Sequence, residues 1–184
     1  MSNIYTTIAS HSEGIYKDKG SKFLAFAEPV MTEFEVRERL DWYRREYRDA
    51  RHVCYAYMLG EDGQNWRVSD DGEPSGTAGR PILGQIKSKG LTNILVVVVR
   101  YFGGILLGTG GLIVAYKSAT QVALENAEII QKDVLIRREL SFPYAELSNI
   151  MSKLRKLDAQ IVKQQFDNDC YIECYIKKEY ERRI

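Results

Sequence analysis

Six consecutive aliphatic residues, Ile94-Leu95-Val96-Val97-Val98-Val99, constrain this chain more than any other feature. A strand wetted on one side alternates apolar with polar residues, and an unbroken aliphatic run has no polar face to present to water. The run therefore predicts a strand buried on both faces. Arg100-Tyr101-Phe102-Gly103-Gly104 follows it, and Gly108-Thr109-Gly110-Gly111 opens onto Leu112-Ile113-Val114-Ala115-Tyr116. That second stretch predicts a helix from about Gly110 to Asn126. A strand passing through a glycine loop into a helix start can hold an anion, because loop N–H groups and the unpaired donors of the first turn are both on offer. Twelve of the 14 glycines fall between Gly60 and Gly111, so the working part of the chain is expected there.

With 184 residues the chain is long enough for one large domain, or for one medium and one small. The longest apolar run is far short of the roughly 20 residues that span a bilayer. The start, Met1-Ser2-Asn3-Ile4-Tyr5-Thr6, has no basic region followed by an apolar core, so a cytoplasmic location with no membrane partner is expected. Cys54, Cys170 and Cys174 are an odd count, which argues for free thiols over a disulfide framework. Cys170 and Cys174 share one face of a period-2 segment, and the only histidines are His11 and His52, so no metal site is assigned. The net charge of +1, from 26 basic and 25 acidic residues, excludes nucleic-acid binding by bulk charge; such binding needs a local patch.

Along the chain, 4–10 and 14–30 read as strands with a turn at Asp18-Lys19-Gly20. Thr32 and Glu35 form a capping-box pattern for a helix to about Asp49, with Phe34, Val36, Leu40 and Tyr43 or Tyr47 as its apolar stripe and an arginine-rich opposite face. His52–Leu59 reads as a strand, paired with a short one at Trp66-Arg67-Val68. A polar loop from Asp70 to Pro81 then leads into a helix from about Arg80 to Ser88. The pattern changes near Asp133. Residues 134–142 read as a strand, a helix starts at Pro143-Tyr144 and runs to about Lys156, and 160–166 with 170–177 form a hairpin. The domains are placed at 1–132 and 133–184, the second in β-α-β-β order.

Three polar features are candidates for one site. Arg51-His52 begins a strand; Asp70, Asp71 and Glu73 share a loop with Thr77 and Arg80; Arg100-Tyr101-Phe102 leads to the glycine loop. Asp70 or Asp71 could ligate magnesium, with Arg80 and Arg100 steadying a phosphate. Clustered Asp and Gly also suits a plain turn whose side chains cap local backbone. Gly108, Thr109, Gly110 and Gly111 do not make a Walker loop or a dinucleotide fingerprint; they suit either phosphate contact or close helix–sheet packing. Arg100 can grip phosphate, and Tyr101 or Phe102 can stack on a base. The same three also suit an internal salt bridge and a completed core.

The ordered motifs carry a resemblance. Arg51-His52-Val53-Cys54-Tyr55-Ala56, the loop from Asp70 to Pro81, Val97 to Gly104, Leu107 to Leu112 and the early Ser21-Lys22-Phe23 resemble the IMPACT family over most of residues 1–130. The resemblance implies an α+β chain of two domains. The first is a ribosomal-protein-like β-α-β-α domain, as in GHMP kinases and domain IV of elongation factor G. The second is ferredoxin-like, as in domain V of that factor, and here its pattern is incomplete at the C-terminus, without the last helix and strand. Eukaryotic members regulate translation by opposing activation of a stress kinase, partly through an extra N-terminal domain, so that partner is not carried over. What the resemblance implies for this chain is a non-enzymatic, translation-associated regulator that binds RNA, the ribosome or a translation factor, with no cofactor. Arg51, His52, Arg80 and Arg100 would meet phosphate, Tyr101 or Phe102 would stack, and Gly108–Gly111 would offer backbone donors. The alternatives are a magnesium-dependent enzyme or binder of a phosphorylated small molecule or nucleotide, using Asp70, Asp71, Glu73 and Thr77, and a protein-interaction module. The oligomeric state is open.

Overall fold

The protein is described by a computed structural model over residues 2–184. In chain order its elements are β1 (Ile4–Ile8), β2 (Ser12–Asp18), β3 (Ser21–Pro29), α1 (Glu33–Glu46), β4 (His52–Leu59), β5 (Asn65–Ser69), α2 (Gly79–Ser88), β6 (Ile94–Tyr101), α3 (Gly108–Glu125), β7 (Ile129–Asp133), β8 (Leu135–Pro143), α4 (Leu147–Lys156), β9 (Gln160–Phe166) and β10 (Asp169–Lys177). Short 3-10 turns precede α4 and follow β10. The chain divides into two compact units, one spanning Thr6–Gln131 and the other Lys132–Ile184 with the residues before Thr6.

In the larger unit the aliphatic run is the middle of a five-stranded antiparallel sheet of order β2-β3-β6-β4-β5. Successive side chains of a strand point to opposite faces, so the run divides into two cores. Ile94, Val96 and Val98 pack with Phe23, Ala56 and Ile82 beneath α2 and α3, whereas Leu95, Val97 and Val99 pack with Val36, Leu40 and Tyr43 of α1. All six are fully buried. Burying each such side chain contributes about 1.5–3 kcal/mol, which is why this strand sits at the centre and cannot lie at an edge.

Thr32 caps α1 as the sequence predicts, its hydroxyl accepting from the Glu35 N–H, while the Glu35 carboxylate accepts from the Met31 N–H. The helix stops at Glu46 rather than near Asp49, and Phe34, expected on the buried stripe, is exposed at its start. β5 pairs with β4, from Tyr55↔Ser69 to Leu59↔Asn65. β7 pairs with β1 and has no forerunner in the sequence reading, because Ile129-Ile130-Gln131-Lys132-Asp133 lacks a strand period.

The smaller unit is a three-stranded antiparallel sheet of order β8-β10-β9 with α4 between β8 and β9. β10 lies between two strands that are parallel to each other, the split β-α-β arrangement expected of a ferredoxin-like start. Cys170, Ile172, Cys174 and Ile176 all face its core with Phe142 and Leu154.

One close approach positions the end of the sheet. A Cβ on Gly103 would lie 2.0 Å from the Gly20 carbonyl carbon, so the loop after β6 can rest on the β2–β3 turn only without a side chain there. Gly84, inside α2, faces open space. Gly103→Ala should therefore destabilise the unit by about 1–3 kcal/mol through backbone overlap. Gly84→Ala should stabilise it by roughly 0.5–1 kcal/mol through helix propensity. Urea midpoints of the two variants check both signs.

Candidate functional site

The strand register brings the first predicted residues together. Arg100, at the end of β6, stands opposite Phe23 of β3 on one side and His52 of β4 on the other. Glu73, from the loop after β5, reaches this corner and is almost wholly buried. Its two oxygens accept from Arg100 Nη1 at 2.7 and 2.8 Å, one accepts from the Tyr116 hydroxyl at 2.9 Å, and His52 Nε2 lies 2.8 Å from the other. The Arg100 guanidinium lies 5.4 Å from the Phe23 ring centre and 5.6 Å from that of Phe102, a position rewarded by the negative faces of the rings. Its Nε is sealed from solvent with no hydrogen-bond partner among the described residues.

Arg100 is 5 % exposed and committed to Glu73, so its guanidinium is not offered to a phosphate as the sequence expectation had it. His52 is similarly occupied, with Nδ1 at 2.7 Å from the Asp71 carbonyl. Cys54 Sγ lies 3.1 Å from the Asp70 carbonyl and 3.4 Å from the Tyr116 hydroxyl. Burial first, and the Glu73 charge among lesser causes, push the Cys54 thiol well above its ordinary value, and burial with the nearby Cys54 and Glu73 does the same to Tyr116. A thiol held protonated in this way is a structural group, not a nucleophile.

The acidic loop is organised on its own backbone. Asp70 accepts from the N–H groups of Gly76, Ala78 and Gly79 at 2.9–3.1 Å, so it caps the start of α2 from nine residues away. Burial alone would raise its carboxyl pKa; the three backbone donors outweigh burial and hold it below the usual range. Asp71, with φ of +39°, accepts from the Val53 N–H at 2.7 Å and so ties the loop to the first residues of β4. The Thr77 hydroxyl donates to the Pro74 carbonyl. Each acid of the loop is engaged within the fold, and among the described residues no cluster of three His, Cys, Asp or Glu could hold a metal ion.

Other predicted residues face outward. The Arg51 guanidinium lies over the exposed Phe102 ring, 5.0 Å from its centre. Arg80 is exposed in the first turn of α2, close enough to Asp70 to help hold that carboxyl ionised. Tyr101 is half-buried, and its hydroxyl donates to Asp49 at 2.9 Å, so it belongs to the core edge rather than to a stacking surface. Gly108, Thr109 and Gly110 are exposed and Gly111 half-buried at the start of α3, which has no side-chain cap and no acid in its first turn. Ile105 and the 82 % exposed Leu106 stand on the loop between Phe102 and that helix.

Residues 19–124 match the Impact N-terminal domain, more than half of the chain and every residue of the Glu73 cluster. The chain belongs to the IMPACT family. It is 38% identical over 164 residues to IMPACT family member YigZ of Escherichia coli strain K12, covering 88% of this chain and 72% of that one. Over 179 residues it is 32% identical to IMPACT family member YvyE of Bacillus subtilis strain 168, covering 97% and 82% of the two chains. A solved structure described as the crystal structure of an hypothetical protein superposes with a TM-score of 0.84 at 31% identity, over 100% of this chain and 90% of that one.

One member of the cluster in this IMPACT family member carries no motif signal. Tyr116 sits at an apolar position of an amphipathic helix and reads as plain core. Cys54 belongs to the Arg51–Ala56 motif, which gives no sign of its contact with Tyr116. Ser21 left a faint signal, as part of Ser21-Lys22-Phe23. It is fully buried, and its hydroxyl accepts from the Gly103 N–H at 3.1 Å and lies 3.5 Å from Arg100 Nη2.

Removing Glu73 leaves Arg100 buried and unpaired, so Glu73→Ala should cost about 3–5 kcal/mol in urea denaturation. Asp70→Asn should cost about 1–3 kcal/mol at neutral pH, by weakening bonds to a charged acceptor. The folded carboxyl titrates below the ordinary aspartate value, so its contribution is complete above that value and is lost as pH falls through the folded one. The gap between wild type and Asp70→Asn should therefore close as pH drops below about 4.

Proposed function

We propose that this chain is a non-catalytic, translation-associated protein that binds RNA. The contact face runs from Arg51 and Phe102 along the exposed loop to the start of α3, with Arg80 adding charge at the start of α2. The observation that carries the reading is the Arg51–Phe102 pair: a cation held over an aromatic face, both exposed, preceding an uncapped helix start. An arginine so placed can neutralise a backbone phosphate while the ring accepts an unpaired base. The uncapped N–H groups of α3 add donors, and Gly108 and Gly110 have open space where side chains would stand. Membership of the IMPACT family supports the translation side, given what the motif resemblance implies. Arg100 and His52 act within the fold by holding Glu73 and contribute no phosphate contact.

RNA retention by the full chain, titrated across salt, tests this. Each phosphate neutralised contributes about 0.7 to 0.9 to the slope of log affinity against log salt. The Arg51→Ala/Arg80→Ala double variant should bind more weakly, with a slope shallower by about 1.4–1.8. Phe102→Ala should lose about 1–3 kcal/mol at every salt concentration. Folded variants that retain wild-type affinity and slope would remove this face from RNA binding.

A further inference from the structure

The opposite side of the five-stranded sheet, under α1, holds a cavity of about 260 Å³ that plays no part in the RNA face. Phe26, Trp42, Tyr43 and Tyr47 form its aromatic walls, and Glu13 and Glu28 supply carboxylates. Glu28 is 5 % exposed, a burial that a carboxylate tolerates only when it is paired. Both of its partners use one oxygen: the Tyr43 hydroxyl donates to Oε1 at 2.6 Å, and His11 Nδ1 lies 2.6 Å from the same atom. Oε2 has no hydrogen bond among the described residues, and it is not sealed from solvent. A buried carboxylate thus keeps an open acceptor beside aromatic faces.

The cavity already contains a cation belonging to the chain. His11 Nε2 lies 2.8 Å from Glu13 Oε1, so both ring nitrogens meet carboxylate oxygens. Those oxygens only accept, and the ring must donate twice, as an imidazolium. The His11 side chain is 42 % exposed.

We propose that this cavity is a binding site for a primary alkylammonium group. The ammonium donates to Glu28 Oε2, and the alkyl chain lies on Trp42 and Tyr47, the arrangement by which aromatic walls and a carboxylate recognise organic cations. Arg39 at the rim repels a second positive charge, so a monocation fits and a diamine does not. The class includes a lysine side chain of a partner and a free monoamine.

Binding is coupled to His11. With the imidazolium in place, His11 and Arg39 balance Glu13 and Glu28; loss of the ring proton leaves one net negative charge for the ligand. Glu13 from β2, Glu28 from β3, Arg39 and Tyr43 from α1 and Tyr47 just after that helix are the ionisable groups that surround it. Burial would lower the His11 pKa, but the bonds to Glu13 and Glu28 outweigh it and raise it above the usual value. Affinity should therefore be weakest at about pH 6 and rise as pH passes through the raised value, up to the range near 10 where the amine itself deprotonates.

The test is titration of the full chain with n-butylammonium, followed by isothermal titration calorimetry at about pH 6 and about pH 8.5. Saturable binding, stronger at the higher pH, is the expected result. Glu28→Gln should weaken it by about tenfold or more, since an amide keeps the Tyr43 bond but loses the charge. Trp42→Ala, at an exposed position, should weaken it while leaving the fold intact. His11→Asn should bind equally at both pH values. Tetramethylammonium, which has no N–H, should bind less tightly than n-butylammonium; equal binding would overturn the role of Glu28. Nα-Acetyl-lysine methylamide, whose ε-ammonium is free, and ethanolamine are further ligands, and whichever binds more tightly assigns the source to a lysine side chain or to a free amine. Absence of saturable binding, or folded Glu28→Gln and Trp42→Ala proteins that bind as wild type does, would overturn the proposal without touching the RNA reading.

Discussion

The paired oxygens of Glu73 on Arg100 hold together the part of the molecule on which everything at this end of the sheet depends. Arg100 is the last buried position of the central strand, and an unpaired guanidinium there would be intolerable. Glu73 answers it from a loop that has no regular structure of its own. That contact draws the loop onto the sheet, and Asp70 and Asp71 then fasten it, one to the start of α2 and the other to the start of β4. Tyr116 ties α3 to the same carboxylate. Two helices, two strands and a loop are thereby referenced to one buried ion pair. Such a pair is costly to desolvate and adds little net stability over an apolar substitute, so its value here lies in fixing geometry.

The fold was largely legible because its strongest signal was physical. The run Ile94–Val99 has only one environment available to it, and a strand with two buried faces implies helices on both sides. The capping pattern at Thr32, the pairing of β4 with β5 and the β-α-β-β order of the smaller unit followed from equally local rules. Phe34 fails for a simple reason. It lies two residues before Val36, so at about 3.6 residues per turn it points to the opposite side of the helix from the buried stripe of Val36, Leu40 and Tyr43. β7 fails because five residues with no alternation carry no period to read.

The candidate site was legible in its ingredients and not in its wiring. Arg100, Glu73, Asp70, Asp71 and His52 all stood out as polar residues near glycines, yet sequence spacing does not say which charges meet. Glu73 and Arg100 are 27 positions apart, and the irregular loop after β5 carries Glu73 to the end of β6. The two readings available for Arg100, a phosphate grip and an internal salt bridge, differ only in burial. Burial at the end of a strand depends on what the neighbouring loop does. Tyr116 was unreadable because a tyrosine on an apolar stripe looks the same whether its hydroxyl reaches water or a buried acid.

The buried pair and the exposed face are mechanically one object. The Arg100 guanidinium packs between Phe23 inside and Phe102 outside, and Arg51 lies over the outer ring. Ser21 holds the next residue, Gly103, by its N–H, against a turn that admits no side chain. The direction in which Phe102 faces solvent is therefore set by a charge that never reaches solvent. A substitution at Arg100 acts on the outer face indirectly, by releasing the ring and the loop behind it. This explains how a residue can look like part of a contact surface in sequence while contributing only its position. Binding energy on such a face comes from groups held ready before the partner arrives, and the entropy of holding them is met here by folding rather than by association.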